Sequence, residues 1–315
     1  MDEIKTPVTE TVEAVAGGNA TDKAEKKPKR RRRWGDRRDG RRVRGIHAMQ
    51  YMIPFFMKER SDAQNHFQDE VDITNIEDYV QKKRAEGYTD MGFLHVFIAA
   101  YVRAVSQRPA INRFLSGQRV YARPDVVAVM PVKKQMSIDS PDTEIKIHFD
   151  QRDTAVQVYE KFQAVYKDAI SQENSFDKLA TLLTKIPRLF LRGFVAFLHL
   201  LDYFDLLPGI ILRLSPFHGS VIITSMGSLG INAIYHHLYN FGNLPVFLSY
   251  GKKYTKTVIE DGVTEKRHYV TFRAVVDERI CDGYYYASGF KIMKRYLLHP
   301  ELLDTEMTEY VEDID

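Results

Sequence analysis

The chain has 315 residues, 44% of them hydrophobic, and a single cysteine, Cys281. That composition excludes a wholly disordered chain and any intrachain disulfide, and it suits a reducing cytoplasm as the compartment. The net charge of +3 is uneven: residues 23–44 hold 13 Lys/Arg against Glu25, Asp36 and Asp39, a local +10 that leaves the remainder at −7.

No apolar leader segment opens the chain, and no run of about 18 uncharged apolar residues occurs. Neither a secretory signal nor an ordinary transmembrane helix is therefore expected. Residues 1–45 are poor in aliphatics and read as a disordered basic tail. Its cluster Lys26-Lys27-Pro28-Lys29-Arg30-Arg31-Arg32-Arg33 can meet an acidic partner, nucleic acid or anionic lipid without specificity, or serve only to solubilise. Trp34 is the one aromatic among these cations, so sequence-specific nucleic-acid readout is not expected.

From Ile46 to Arg60, apolar residues recur at helical spacing, with Pro54 as a kink or break. Asn65–Ile73 alternates as a strand does. Thr74 or Asn75 caps a helix over about Ile76–Glu86, which Gly87 closes. Met91–Gln107 is a strong helix ended by Arg108-Pro109; His95 within it reads as a core or polar-face residue. Strands follow at Arg119–Tyr121, Val126–Val132 and Glu144–Phe149, the last two joined by a loop over Lys133–Thr143. Thr154–Ile170 is helical.

Residues 187–214 are apolar nearly all round, interrupted by Arg188, Arg192, His199, Asp202 and Asp205. Three roles compete for them: a buried or oligomer-facing helix, an interfacial membrane helix, and a lid. The buried or oligomer-facing role is the simplest. Ser220–Ser225 is a strand ending in hydroxyls, followed by the flexible turn Met226–Gly230. Val246–Tyr250 is a strand, Asp261-Gly262 turns a hairpin, and His268–Val276 is a β-branched strand. It leads into Asp277-Glu278-Arg279-Ile280-Cys281-Asp282-Gly283, after which Tyr284–Leu298 is the last helix. No metal-ligand motif is apparent.

Four of these segments, in order, resemble the chloramphenicol acetyltransferase-like family, which includes the catalytic domains of dihydrolipoamide acyltransferases of 2-oxo acid dehydrogenase complexes. Glu70-Val71-Asp72-Ile73-Thr74 resembles the early strand-to-helix corner. Arg108-Pro109-Ala110-Ile111-Asn112 resembles the Pro-x-x-Asn helix exit. Ile223–Gly230 is similar to the Thr-x-Ser-x-x-Gly segment, and Asp277–Gly283 is similar to Asp-His-Arg-x-x-Asp-Gly. The resemblance implies an α+β fold over residues 46–315, a two-layer arrangement of mixed β-sheet flanked by helices. It also implies coenzyme A-dependent acyl transfer to a small-molecule acceptor, and a homotrimer with the active site between subunits. The family's multienzyme members carry lipoyl and subunit-binding domains ahead of the catalytic one; none is read here, so no lipoyl attachment is expected.

One residue departs from the signature. Where the family has its histidine base, four residues before Asp282, this chain has Glu278. A base works best with a pKa near the operating pH. Against a thiol near about 8.5, the mismatch is about 2 units for His and about 4 for Glu. An ordinary Glu is thus handicapped by about 3 kcal/mol more, on the order of a hundredfold in rate, unless burial raises its pKa.

By resemblance, Asp282 pairs with an arginine, Arg42 and Arg44 being candidates, and Gly283 permits the turn. Ser225, or else Thr224, matches the hydroxyl that hydrogen-bonds the developing oxyanion; either can also be a turn hydroxyl. Lys252, Lys253 and Tyr254 are candidate coenzyme A contacts, with a solvated hairpin base as the simpler role. Cys281 reads as a small buried residue, and His236 and His237 as an exposed or trimer-face pair. Two functions stay open: an acyltransferase working with Glu278, and a catalytically inactive relative that binds or scaffolds, with 187–214 and the tail as contacts to a partner or membrane surface.

Overall fold

The computed structural model describes residues 32–133, 142–171, 181–307 and 310–314. Residues 1–31, with most of the basic cluster, lie outside them, as does the greater part of the Lys133–Thr143 loop.

Helix α3 (Phe93–Gln107) explains the architecture. Its sequence is apolar on every face, and residues 95–106 are all buried. A helix of this kind needs neighbours all round. It finds the sheet on one side, α4 (Ala155–Ser171) beside it, and α7 (Gly283–Leu298) packed along it. His95 sits inside this core, its ring edge-on to Tyr159 and Phe162, and burial lowers its pKa to about 4.

The sheet is mixed and seven-stranded, in the order β2-β10-β8-β7-β5-β6, with β9 paired to the first half of β10. Its strands are β2 (Gln64–Asp72), β5 (Val126–Lys133), β6 (Asp142–Phe149), β7 (Val221–Ser225), β8 (Val246–Tyr250), β9 (Tyr254–Glu260) and β10 (Val263–Asp277). β5, β7 and β8 run parallel; the other pairings are antiparallel. Alternation along each strand sends Ala128, Ile223, Leu248 and Ala274 to the helical layer. It sends Val129, Ile222, Phe247 and Val275 to the other face, covered by the irregular segment 231–245 through Leu238 and Leu244. The expected α+β layering is therefore present.

A small three-stranded sheet, β1-β4-β3, stands apart. It comprises β1 (Arg41–Arg42), β3 (Arg113–Ser116) and β4 (Arg119–Ala122). β1 corrects the boundary placed at residue 45. From Arg32 onward the chain is folded: Arg37 and Val43 are buried, and Arg37 bonds Asp39 at 2.9 Å, Asp202 at 2.8 Å and the Ser116 hydroxyl at 2.7 Å. Those paired charges, scattered through the sequence, are why composition alone reads the segment as unstructured.

Two further elements leave apolar side chains exposed. The periodic segment near Pro54 becomes α1 (Ala48–Phe56), with Pro54 inside it, yet Met49, Met52, Phe55 and Phe56 are exposed. Residues 187–214 form α5 (Arg188–Tyr203) and the short α6 (Gly209–Leu214). Of α5 only Asp202 is buried, while Leu189 is 77% and Phe190 71% exposed. Within one chain, α5 is therefore not a core helix. Among the described residues, no helix is long and apolar enough to cross a membrane.

Candidate functional site

β10 carries the motif to one end of the sheet's strands. Its register sets Val276 opposite Asn65 of β2 and opposite Val246 of β8. The strand ends at Asp277, whose N–H donates to Pro245 O, and Glu278 turns away with its own N–H on Ala63 O, both at 2.9 Å. The Glu278 carboxylate is partly buried and accepts from Asn65 Nδ2 at 2.8 Å. No cation pairs with it among the described residues, so its charge is held in place without being neutralised.

The acid locked to arginine is Asp277, not Asp282. Arg279 donates to both Asp277 oxygens at 2.8 Å, and Arg60 Nε lies 3.4 Å from Oδ2. All three side chains are buried. The guanidiniums bind backbone as well: Arg279 reaches Met57 O and Lys58 O, and Arg60 reaches Tyr239 O and Gly242 O. Tyr286 donates its hydroxyl to Asp277 O at 3.0 Å. This knot ties the end of α1, the turn, segment 231–245 and α7 together, so the backbone bearing Glu278 is rigid.

Asp282 is exposed and caps α7, accepting from Tyr285 N–H at 2.8 Å. That is the N-cap geometry in which a side-chain oxygen satisfies an otherwise orphan amide. It has no ion-pair partner among the described residues, and Arg44 pairs instead with Asp36 at 3.2 Å. Cys281 is buried, as expected of a small apolar stand-in, and burial drives its thiol pKa far up.

Ser225 ends β7 on the helical side of the sheet, where it meets the Tyr250 hydroxyl, whose pKa burial raises to about 12. Its own Oγ also accepts from Ser228 N–H at 3.3 Å. The turn is held tightly: a Cβ on Gly227 would meet Gly251 O at 2.6 Å, and one on Gly251 would meet Ala233 N at 2.5 Å. Thr224 is buried and, one residue earlier, faces the opposite side.

Register also fixes the distance between the two motif groups. Ser225 is level with Tyr250, and Tyr250 with Phe272, six positions before Glu278. At about 3.3 Å per residue, Ser225 and Glu278 lie roughly 20 Å apart, toward opposite ends of the strands. One chain does not bring them together.

The other candidates are placed plainly. Lys253 is paired with Glu77 at 2.7 Å, and the Tyr254 hydroxyl donates to Glu70 at 2.8 Å. Lys252 is exposed, and its ammonium has no partner among the described residues. His236 stacks flat on Phe247 at 4.4 Å with His237 stacked on it, on the face of the sheet away from Asn65. Asn65, Asp277, Arg279 and Arg60 were not among the expected site residues. Asp277 and Arg279 sit inside the quoted motif, and charged residues closing a buried β-branched strand are the available signal. Nothing in the sequence marks Arg60 or Asn65.

The fold is that of an acyltransferase catalytic core. The chain is similar to the solved structure of a probable dihydrolipoamide acetyltransferase from Listeria monocytogenes, with a TM-score of 0.53 and 14% identity over 85% of this chain and 97% of that one. It is similar to a truncated catalytic core of the 2-oxoacid dehydrogenase multienzyme complex from Thermoplasma acidophilum, at 0.51 and 15% identity over 82% and 98%. A third is the dihydrolipoamide acetyltransferase of Azotobacter vinelandii, at 0.50 and 14% identity over 84% and 94%. No protein-family model and no curated protein matches the chain. At such identities the likeness establishes the fold.

Proposed function

We propose that the protein is a coenzyme A-dependent acyltransferase that uses Glu278 as its base, at a site assembled between copies of the chain. The observation that carries this reading is the Glu278 carboxylate: fixed by Asn65 at 2.8 Å, on a turn made rigid by Asp277, and paired with no cation among the described residues. The neighbouring Asp277, by contrast, is locked between Arg279 and Arg60.

In this reading Glu278 takes the proton from an acceptor thiol or hydroxyl. The acceptor attacks the thioester carbonyl, the carbonyl–sulfur bond breaks, and the proton passes to the departing coenzyme A thiolate. Ser225 of a second copy donates to the oxygen that gains charge, which the roughly 20 Å separation within one chain requires. Lys252 is the one expected coenzyme A contact whose charge is free; Lys253 and Tyr254 serve Glu77 and Glu70. A trimer, the assembly implied by the family resemblance, supplies such an interface.

Subunit mixing tests the arrangement. Glu278→Gln and Ser225→Ala are each expected to be inactive alone, and co-refolded mixtures are expected to regain activity. Mixtures that stay inactive while assembling normally would refute a shared site.

The exposed face of α5 favours a second reading, a non-catalytic binding protein at a membrane surface. Leu189, Phe190, Phe197 and Leu200 are exposed beside Arg188 and Arg192, an arrangement suited to an anionic interface. The full-length protein should then sediment with phosphatidylserine vesicles at low salt; absence of binding there would sink this reading.

A further inference from the structure

A cavity of about 460 Å³ opens at the same end of the sheet's strands as the motif turn. It sits at the start of β5, three strands from β10, or roughly 14 Å away. Its walls carry four basic side chains, Arg38, Arg123, Lys146 and Arg213, and two imidazoles, His148 and His218. Two carboxylates, Asp39 and Asp125, line the cavity with them, and Asp202 lies 3.6 Å behind His218.

Both carboxylates have closer partners than the arginines of the cavity. Asp125 accepts from His148 at 2.6 Å. Asp39 is bonded to Arg37 at 2.9 Å and to Asn243 at 2.7 Å, leaving Arg123 a contact of only 4.0 Å. Arg123 is more than nine-tenths buried, lies over the Phe114 ring at 4.4 Å, and its Nε–H has no hydrogen-bond partner among the described residues. Lys146 is held by carbonyls alone, Leu212 O at 2.7 Å and Ser215 O at 3.2 Å. Arg38 and Arg213 are exposed and have no ion pair among the described residues.

We infer that this cavity is a binding site for a phosphoryl dianion borne on a small molecule. Excess fixed cations in a partly closed cavity are costly when empty and are relieved by a bound anion. Burial, then the neighbouring Arg123, already pulls the Lys146 pKa down to about 8, and burial lowers that of Arg123 too. Guanidiniums present paired donors that match phosphate oxygens. Pro124, Val127 and Leu212 line the remainder, leaving room for an apolar body beyond the phosphoryl group. The site does not rest on acyl transfer, since none of its residues belongs to the Glu278 turn.

The test is titration calorimetry of the full-length protein with inorganic phosphate and pyrophosphate at constant ionic strength. Both should bind, and the Arg38→Gln/Arg213→Gln double variant should weaken pyrophosphate binding about tenfold or more. Because those two side chains are exposed and have no ion pair among the described residues, the free variant should unfold at the wild-type temperature. Lys146→Met should weaken binding as well. The proposal is overturned if neither anion binds at millimolar concentration, or if the double variant binds as wild type does, which would place the anion elsewhere, such as on the basic tail. Equal competition by acetate would overturn the phosphoryl assignment.

Discussion

Replacing Asp277 with alanine should be among the most destabilising single changes in the chain. The carboxylate is fully buried, takes two 2.8 Å bonds from Arg279 and lies 3.4 Å from Arg60. Truncation leaves two buried guanidiniums without a counter-charge. Breaking a buried pair in this way costs about 3–5 kcal/mol. For a domain of this size, that lowers the unfolding temperature by roughly 6–20 °C. Asp282→Ala is the comparator. It removes an exposed N-cap at a cost of about 1 kcal/mol, or roughly 2–4 °C. Circular-dichroism melts and urea titrations of both variants measure the difference. If Asp282→Ala is as destabilising as Asp277→Ala, the assignment of the arginine-locked acid to Asp277 is wrong.

Other outcomes follow from the same geometry. Asn65→Leu removes the 2.8 Å hydrogen bond that holds the Glu278 carboxylate. Hydrogen bonds to charged groups are worth about 1.5–3 kcal/mol, so turnover should fall by about ten- to a hundredfold. KM should be unchanged, and a change in KM alone would contradict a positioning role. Asp202 gives a pH prediction. Burial works against its charge, but His218 at 3.6 Å and the Arg37 guanidinium at 2.8 Å bring its pKa down to about 2. A depressed folded pKa stabilises above the unfolded value near about 4, and that contribution, on the order of 2 kcal/mol, is lost as pH falls toward about 2. Asp202→Asn should therefore flatten the acid limb of a stability–pH curve; an unchanged limb would show that Asp202 is not its source.

The elements that were legible in the sequence are those with strong local period or chemistry. The largely apolar α3, the β-branched end of β10 and the Asp-Gly opening of α7 each appear where expected. The order of four motif segments carried the fold, which the solved structures share. What stayed hidden depends on contacts between distant residues. The folded stretch 32–45 is organised by Arg37 reaching Asp202, 165 positions away, which no local pattern reveals. The exchange of roles between Asp277 and Asp282 is decided by which carboxylate the sheet buries. Asn65 meets Glu278 only through the β2–β10 register. The helical period near α1 and the apolar run of α5 do not say whether an apolar face is covered by the same chain.

The central claim is that Glu278 serves as a base, and one measurement addresses it most directly. Acyl transfer from acetyl-coenzyme A to a thiol or hydroxyl acceptor is followed by product mass for wild type, Glu278→Gln and Glu278→His. Acceptor-dependent transfer should occur in wild type and be abolished in Glu278→Gln. In Glu278→His it should rise by up to about a hundredfold, the handicap of about 2 pKa units between the two bases. Wild-type protein that neither binds coenzyme A nor transfers an acyl group, or transfer that survives in Glu278→Gln, would contradict it.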